Sequence, residues 1–224
     1  MENLLDLYAQ PYNPLRPVVC IDETAKELFE AVQADMPMQK GEPRRQDCEY
    51  VRNGRRDLFV AIEPLRGWRY VQVTERRTAY EYAHFIKDLV DGEYAEAEEI
   101  QVAQDNLNTH GAASLYKVFE PAEARRILRK VRFHYTPKHG SWLNMAEIEI
   151  GIIKRECLNR RIGTAEYMAS EVAALVEERN RAGAKIKWQF SCEKARTTLH
   201  RLYPKLTQTQ ELPALDDKTY LTDY

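Results

Sequence analysis

Val19-Cys20-Ile21-Asp22-Glu23 is the stretch on which the fold turns. Residues 18–21 form an apolar run of the length of a buried strand, and the run ends in two carboxylates. Acidic side chains at the end of a buried strand suit a protein that holds divalent metal ions beside a phosphodiester, because hard cations such as Mg2+ take oxygen ligands. Two further patches share this character. Val102-Ala103-Gln104-Asp105-Asn106 ends a later apolar strand, and Ser141-Trp142-Leu143-Asn144-Met145-Ala146-Glu147 lies inside an expected helix.

Outward from the first patch, residues 4–9 read as a short helix stopped by Pro11, Pro14 and Pro17. Residues 24–34 read as a short helix or an ordered loop, and 36–49 as a loop with Pro37, Gly41 and Pro43. Asn53-Gly54 between extended flanks is a hairpin signal. It launches strands at 58–62 and 68–74, joined through Pro64 and Gly67. Tyr82, Ala83, Phe85, Ile86, Leu89 and Val90 recur at helical spacing within 79–90. Residues 100–103 are a fourth strand, 112–119 and 121–130 are helices, and 131–135 a fifth strand. Helices follow at 142–158, 165–180 and 192–202, the last two behind Thr164 and Ser191 as N-caps.

Strands joined first by hairpins and then through helices predict an α/β fold, a mixed five-stranded sheet with helices on both faces and a helical C-terminal extension. This is the element order of the ribonuclease H-like fold, a resemblance that implies the strand order 3-2-1-4-5. The expected organisation is a lead-in at 1–17, a domain at 18–204 and a flexible tail at 205–224.

With 224 residues, 44% of them hydrophobic, the chain can bury a sizeable core. There is no run of eighteen apolar residues, and the acidic start at Met1-Glu2-Asn3-Leu4-Leu5-Asp6 lacks the form of a signal peptide, so no membrane partner and a cytoplasmic location are expected. Cys20, Cys48, Cys157 and Cys192 show no metal-ligand spacing and read as reduced, mostly buried thiols. The net charge of −2 averages over faces that never meet the same partner, so local basic clusters say more about nucleic-acid binding.

In the expected sheet, the strands ending in Asp22 and Asp105 are neighbours, and Glu147 lies on a helix able to pack across their tips. Three convergent carboxylates can carry two Mg2+ or Mn2+ ions about 3.5 to 4 Å apart, one activating the attacking oxygen and one stabilising the leaving oxygen. Glu149 competes for the third place. Two residues along a helix turn a side chain by about 200°, so the two glutamates face opposite ways. Glu147 shares its face with Asn144, Gly151, Lys154 and Arg155, a set suited to metal and phosphate, whereas Glu149 reads as a solvated surface charge.

Asn106 and His110 are candidates either for contact with phosphate or the ligands' surroundings, or for a loop-fixing hydrogen bond. Lys138 and His139 stand where they can meet a phosphate at the helix start. Trp142 reads as core in preference to a base-stacking ring. Arg52, Arg55 and Arg56 read equally as a DNA clamp on a hairpin and as a charged exposed turn.

These strings, with Thr136-Pro137-Lys138-His139-Gly140 leading into the third and Trp188-Gln189-Phe190 near the end, resemble the catalytic core of bacterial insertion-sequence transposases of the IS six-thirty type, in the mariner superfamily, also described as a DDE superfamily endonuclease domain. The resemblance runs from about Leu4 to Pro204. It implies that Asp22, Asp105 and Glu147 take the places of the metal-binding triad. It also implies cleavage at transposon ends by water, then attack of the freed 3′-hydroxyl on target DNA, in an assembly of at least a homodimer on double-stranded DNA at the bacterial nucleoid.

Such transposases carry helix-turn-helix modules ahead of the core, and the residues before Val18 are too few for one. End recognition is therefore expected from a separate helix-turn-helix polypeptide, from a missing N-terminal part, or not at all. Two rival readings are a noncatalytic regulator that binds DNA or the full-length enzyme, and a nuclease acting on RNA-DNA hybrids, which rests on fold analogy alone.

Overall fold

The computed structural model describes residues 1–203 apart from 35, 44, 46 and 47. The tail expected at 205–224 lies outside the described residues. Five strands make one sheet: β1 (Val18–Ala31), β2 (Tyr50–Glu63), β3 (Trp68–Thr74), β4 (Ile100–Gln104) and β5 (Val131–Tyr135), in the order β3-β2-β1-β4-β5. β1 and β3 each pair antiparallel with β2, while β4 lies parallel to both β1 and β5. The expected order and mixed character are both present, and the architecture is ribonuclease H-like.

The connections follow from local chemistry. The short β2–β3 turn closes where Gly67, at φ 78°, donates its N–H to the Glu63 carbonyl at 2.8 Å. Parallel neighbours need longer crossovers. These are supplied by α2 (Ala79–Asp91), between β3 and β4, and by α3 (Ala112–Val118) with α4 (Pro121–Leu128), between β4 and β5.

Period-two alternation along β2 divides the core. Phe59 and Ala61 join Val19, Ile21 and Val102 under α2, α3 and α4. Leu58 and Val60 join Leu28 on the other face, under α5 (Ala146–Ile153) and α6 (Ala165–Arg181). The lead-in contributes α1 (Glu2–Tyr8), whose Leu4, Leu5 and Leu7 are buried. Residues 1–189 form one compact unit. A second begins at Phe190 and holds α7 (Cys192–Thr198), capped by the Ser191 side chain, then a 3-10 turn at His200–Leu202 where the sequence predicts continuous helix.

Three expectations are corrected. Residues 24–31 are strand, because β1 continues against β2 far past Asp22, and Thr24 and Leu28 bury one face. Tertiary pairing here overrides a polar sequence of weak strand propensity. Second, Asn53-Gly54 is not a hairpin. β2 runs through it, and the register against β1 shifts between Glu27↔Arg55 and Phe29↔Arg52, so two residues of β2 oppose one of β1. That is a β-bulge, and Gly54 at φ 90° takes the left-handed conformation a bulge demands. Gly54→Ala, whose added Cβ meets nothing within 4 Å, is expected to cost about 1 kcal/mol in urea unfolding, from the backbone conformation alone.

Third, the helix predicted at 142–158 is divided. Ser141–Leu143 is a 3-10 turn, Asn144 is extended, α5 starts only at Ala146, and Lys154–Leu158 is a π-helical turn. This last turn is where the outer half of the β1–β2 arm is braced. Lys26 Nζ donates to the carbonyls of Leu158 (2.6 Å) and Arg160 (2.9 Å), and Phe29 N–H donates to Ile162 at 2.8 Å. Beside the bulge, Asn53 Nδ2 donates to the Gly163 carbonyl at 2.9 Å.

Of the cysteines, Cys20 and Cys157 are buried but Cys48 is exposed and Cys192 half-buried. The expected burial therefore holds for two. Among the described residues no helix is long and apolar enough to cross a membrane.

Candidate active site

Asp22 does not end its strand. It sits where β1 loses its parallel neighbour. Pairing with β4 covers Val18↔Gln101, Val19↔Val102 and Cys20↔Ala103, and β4 ends at Gln104. Asp22 and Asp105 each lie two residues beyond the last of these pairs, so the register carries them to the same level. Asp105 follows β4 directly, as expected.

The third segment arrives from β5. Thr136 N–H donates to the Gln104 carbonyl at 2.9 Å, and the chain then turns sharply through Pro137-Lys138-His139-Gly140. His139 is left-handed at φ 61°, and Gly140 packs so tightly on Pro137 that a Cβ would come within 2.6 Å of its ring. This turn, followed by the 3-10 turn, delays the start of α5.

Asn144 makes the join. Its amide Nδ2 donates to the Ile21 carbonyl at 2.7 Å and to Asp22 Oδ2 at 3.3 Å, and its Oδ1 accepts from Ala146 N–H at 3.2 Å. Asn144 therefore ties the carboxylate of β1 to the first residue of α5. Glu147, exposed in the first turn of α5, gains from the positive end of the helix dipole.

Asp22 reports how crowded the site is. Burial above all, followed by repulsion from Glu147, Glu23 and Asp105, pushes its carboxyl up to about 7, against a hydrogen bond from Glu23 N–H that favours the charged form. Acids from three separate segments thus share one neighbourhood. Among the described residues, however, no three Asp, Glu, His or Cys side chains are grouped closely enough to hold an ion as they stand. The donor set itself, all carboxylate oxygens, fits a hard divalent cation, whose charge would relieve the repulsion on Asp22.

His110 supports the second carboxylate. Its Nδ1 lies 2.5 Å from Asp105 Oδ1 and its Nε2 lies 3.1 Å from Glu23 Oε2, while the ring stacks on Tyr82 at 4.8 Å. Burial works against the charged ring. Hydrogen bonds to Asp105 and Glu23, together with their charges, outweigh it and push the imidazole up to about 9.

Sequence reasoning missed Glu23. Its signal was the alternation Val19, Ile21, Glu23, which places an acid on the face covered by α2, where it meets His110 and, at 3.7 Å, Arg77. Gln104 was also missed. It is buried and accepts from Tyr82 Oη at 2.8 Å.

His110 is buried and makes the hydrogen bond to Asp105 that was one of its open readings, and Asn144 is buried against Ile21 and Asp22. Trp142 is 47% exposed, and its neighbour Leu143 fills the core instead. Glu149 is fully buried, in an ion pair with Arg69 and Arg179. It is no solvated charge: it faces α6, a packing partner that only the fold reveals.

Asn106, Lys138 and His139 are exposed on the segments next to the carboxylates. Lys154 and Arg155 are exposed at the far end of α5, with Arg155 bonded to Glu156. Arg56 opposite Lys26 and Arg52 opposite Phe29 lie four and seven residues along the arm from Asp22, about 13 and 23 Å at strand rise. Arg52 stacks over Phe29 and Tyr50, and Arg55 pairs with Asp57, so the arginines flank a bulged arm and not a hairpin tip. A groove of about 810 Å3, lined in part by Asp6, Arg16, Gln101 and Arg132, lies at the opposite end of β1 and β4 from the acids.

Residues 17–169 match the family model described as DDE superfamily endonuclease. No curated protein sequence matches the chain. Among solved structures, the Mos1 mariner paired end complex with Mn is similar with a TM-score of 0.54 and 16% identity, over 81% of this chain and 55% of that one. A simian T-cell lymphotropic virus intasome in complex with a PP2A regulatory subunit follows at 0.45 and 13%, over 94% and 63%. The Mos1 paired-end complex with left transposon end gives 0.43 and 13%, over 83% and 62%. The chain therefore spans somewhat over half the length of these structural relatives.

Proposed function

Because the chain belongs to the DDE superfamily of endonucleases, we propose that it is the catalytic domain of an insertion-sequence transposase of the IS six-thirty type, cutting and joining DNA with Asp22, Asp105 and Glu147 as its metal ligands. The observation that carries this reading is the register that brings Asp22 and Asp105 to the same level of adjoining β1 and β4, with Asn144 tying Asp22 to the start of α5, where Glu147 stands. Mg2+ or Mn2+ ions, two per site, would be held by these three residues and would supply charge for activating the attacking oxygen and stabilising the leaving one.

The chain's own residues do the positioning. Asn144 holds Asp22 against the start of α5, and His110 holds Asp105. Glu147, exposed in the first turn of α5, would complete the set. Exposed Asn106, Lys138 and His139 line the approach for a DNA phosphate, and Arg52, Arg55, Arg56, Lys154 and Arg155 offer charge farther along the duplex.

The domain acts on transposon ends and target DNA as a homodimer or higher assembly at the nucleoid. The test is nicking of transposon-end duplex with Mg2+ or Mn2+. Wild type is expected to cut, whereas Asp22→Ala, Asp105→Ala and Glu147→Ala each lose at least about a thousandfold in rate. Cleavage retained in all three excludes the reading, and absence of Mn2+ binding by wild type, with and without DNA, favours a noncatalytic regulator.

A further inference from the structure

Glu149 and Glu147 leave α5 about 200° apart, so whatever fixes one fixes the direction of the other. Both oxygens of Glu149 are gripped. Arg179 Nε donates to Oε1 at 2.8 Å and Arg179 Nη2 to Oε2 at 3.1 Å, while Arg69 Nε makes an ion-pair contact with Oε1 at 3.1 Å. Arg69, itself fully buried, is anchored in turn: Nη1 donates to the Gly67 carbonyl at 3.0 Å and Nη2 to the Ala184 carbonyl at 2.6 Å. Asn180 completes the frame, accepting from Arg69 N–H and donating to the Arg69 carbonyl, each at 2.8 Å.

The carboxylate of α5 is thus seized by a two-pronged fork from α6 and a guanidinium from β3. A fork fixes angle as well as distance. Burial alone does not require these charges, since apolar side chains of similar volume commonly serve stability as well as a buried ion cluster does. Asn144 pins the start of α5, and buried Ile150 and Ile153 seat it on the sheet, contacts that limit its roll about the axis without fixing the angle as a fork does. The Glu149 clamp, less than a turn farther on and on the opposite side from Glu147, stops that roll.

We propose that Glu149, clamped by Arg69 and Arg179, is the positioning residue that sets the rotation of α5 and so aims Glu147 at Asp22. This rests on the reading of Asp22, Asp105 and Glu147 as metal ligands.

Mn2+ titration calorimetry on the whole chain tests it, with three variants. Arg179→Lys keeps the charge and loses the fork, at a side chain one-fifth exposed where the change is tolerated. Val172→Ala loosens the buried face of α6 without touching the clamp, and so measures what a merely structural weakening does. Glu147→Gln reports on the ligand set itself. Arg179→Lys is expected to weaken Mn2+ binding about tenfold, the scale of losing a residue that orients a ligand, while Val172→Ala stays within about twofold despite a lower melting temperature. Wild-type affinity in Arg179→Lys, or an equal loss in Val172→Ala, overturns the proposal. A Glu147→Gln variant that binds Mn2+ as wild type does overturns the triad assignment, and the proposal with it, by a signature that neither of the other variants produces.

Discussion

Asp22→Asn is expected to make the metal-free protein more stable at pH 8 by about 3 kcal/mol while abolishing Mn2+ binding. The ordinary carboxyl value of 3.8 is raised to about 7 in the fold. Below the unfolded value both states hold the proton and the residue costs nothing. Between about 4 and 7 the unfolded chain releases its proton and the folded one does not, so stability falls by about 1.4 kcal/mol per pH unit until the folded value is passed. Partial exposure of Asp22 and the loss of one acceptor oxygen reduce the total from the full span. Asparagine is neutral throughout, so the variant escapes the penalty. Urea unfolding in EDTA at several pH values checks this: the advantage of the variant should shrink as pH drops from 7 towards 4. Equal stability of the two proteins at pH 8 would mean that the acids do not crowd Asp22.

His110→Ala is expected to have the opposite sign and a similar or larger size, a loss of about 3 to 5 kcal/mol at pH 6. The ring bridges Asp105 and Glu23, and the Glu23 side chain is only 3% exposed, with Arg77 at 3.7 Å as its other ionic neighbour. Alanine leaves that carboxylate nearly buried and poorly compensated, and removes the stack on Tyr82. Because the folded imidazole is raised from 6.5 to about 9, its stabilisation is fully present below pH 6.5 and is lost as pH rises through 9. The gap between wild type and variant should therefore narrow between pH 7 and 10. A constant gap over that range would assign the ring a packing role without charge.

The effects of Asp22 and His110 are coupled through Asp105. A double variant will not be additive, and its deviation measures how far the imidazolium offsets the acids.

How much was legible in the sequence depended on whether the signal was local. α2 was plain because Tyr82, Phe85, Ile86 and Leu89 repeat at helical spacing; the structure adds a capping box of Thr78 with Glu81 at its start. β4 and β5 were plain because apolar and aromatic residues alternate with polar ones over a few positions, Ile100 and Val102 in one and Val131, Phe133 and Tyr135 in the other, before an acid or a proline. Asn53-Gly54 misled because the same dipeptide serves a tight turn and a bulge. The two differ only in whether the flanking strands pair with each other or with a third. The helix at 142–158 was drawn too long because its side chains are compatible with helix throughout. The backbone is held open at Asn144 by bonds to Ile21 and Asp22, over a hundred residues away.

The sequence by itself determined the element order, the mixed character of the sheet and, through the fold which that order resembles, that the strands carrying Asp22 and Asp105 are neighbours, since apolar runs and helical spacings are written in a few residues. Only the tertiary structure decided the register that brings Asp22 level with Asp105 and what surrounds those acids: that β1 runs on past Asp22, that His110 and Asn144 are buried and bonded to Asp105 and Asp22, and that Glu149 is clamped while Glu147 is exposed. Charge, hydrogen bonding and burial depend on neighbours brought together from distant segments, and a residue's chemistry in a fold is set by those neighbours more than by the letters beside it.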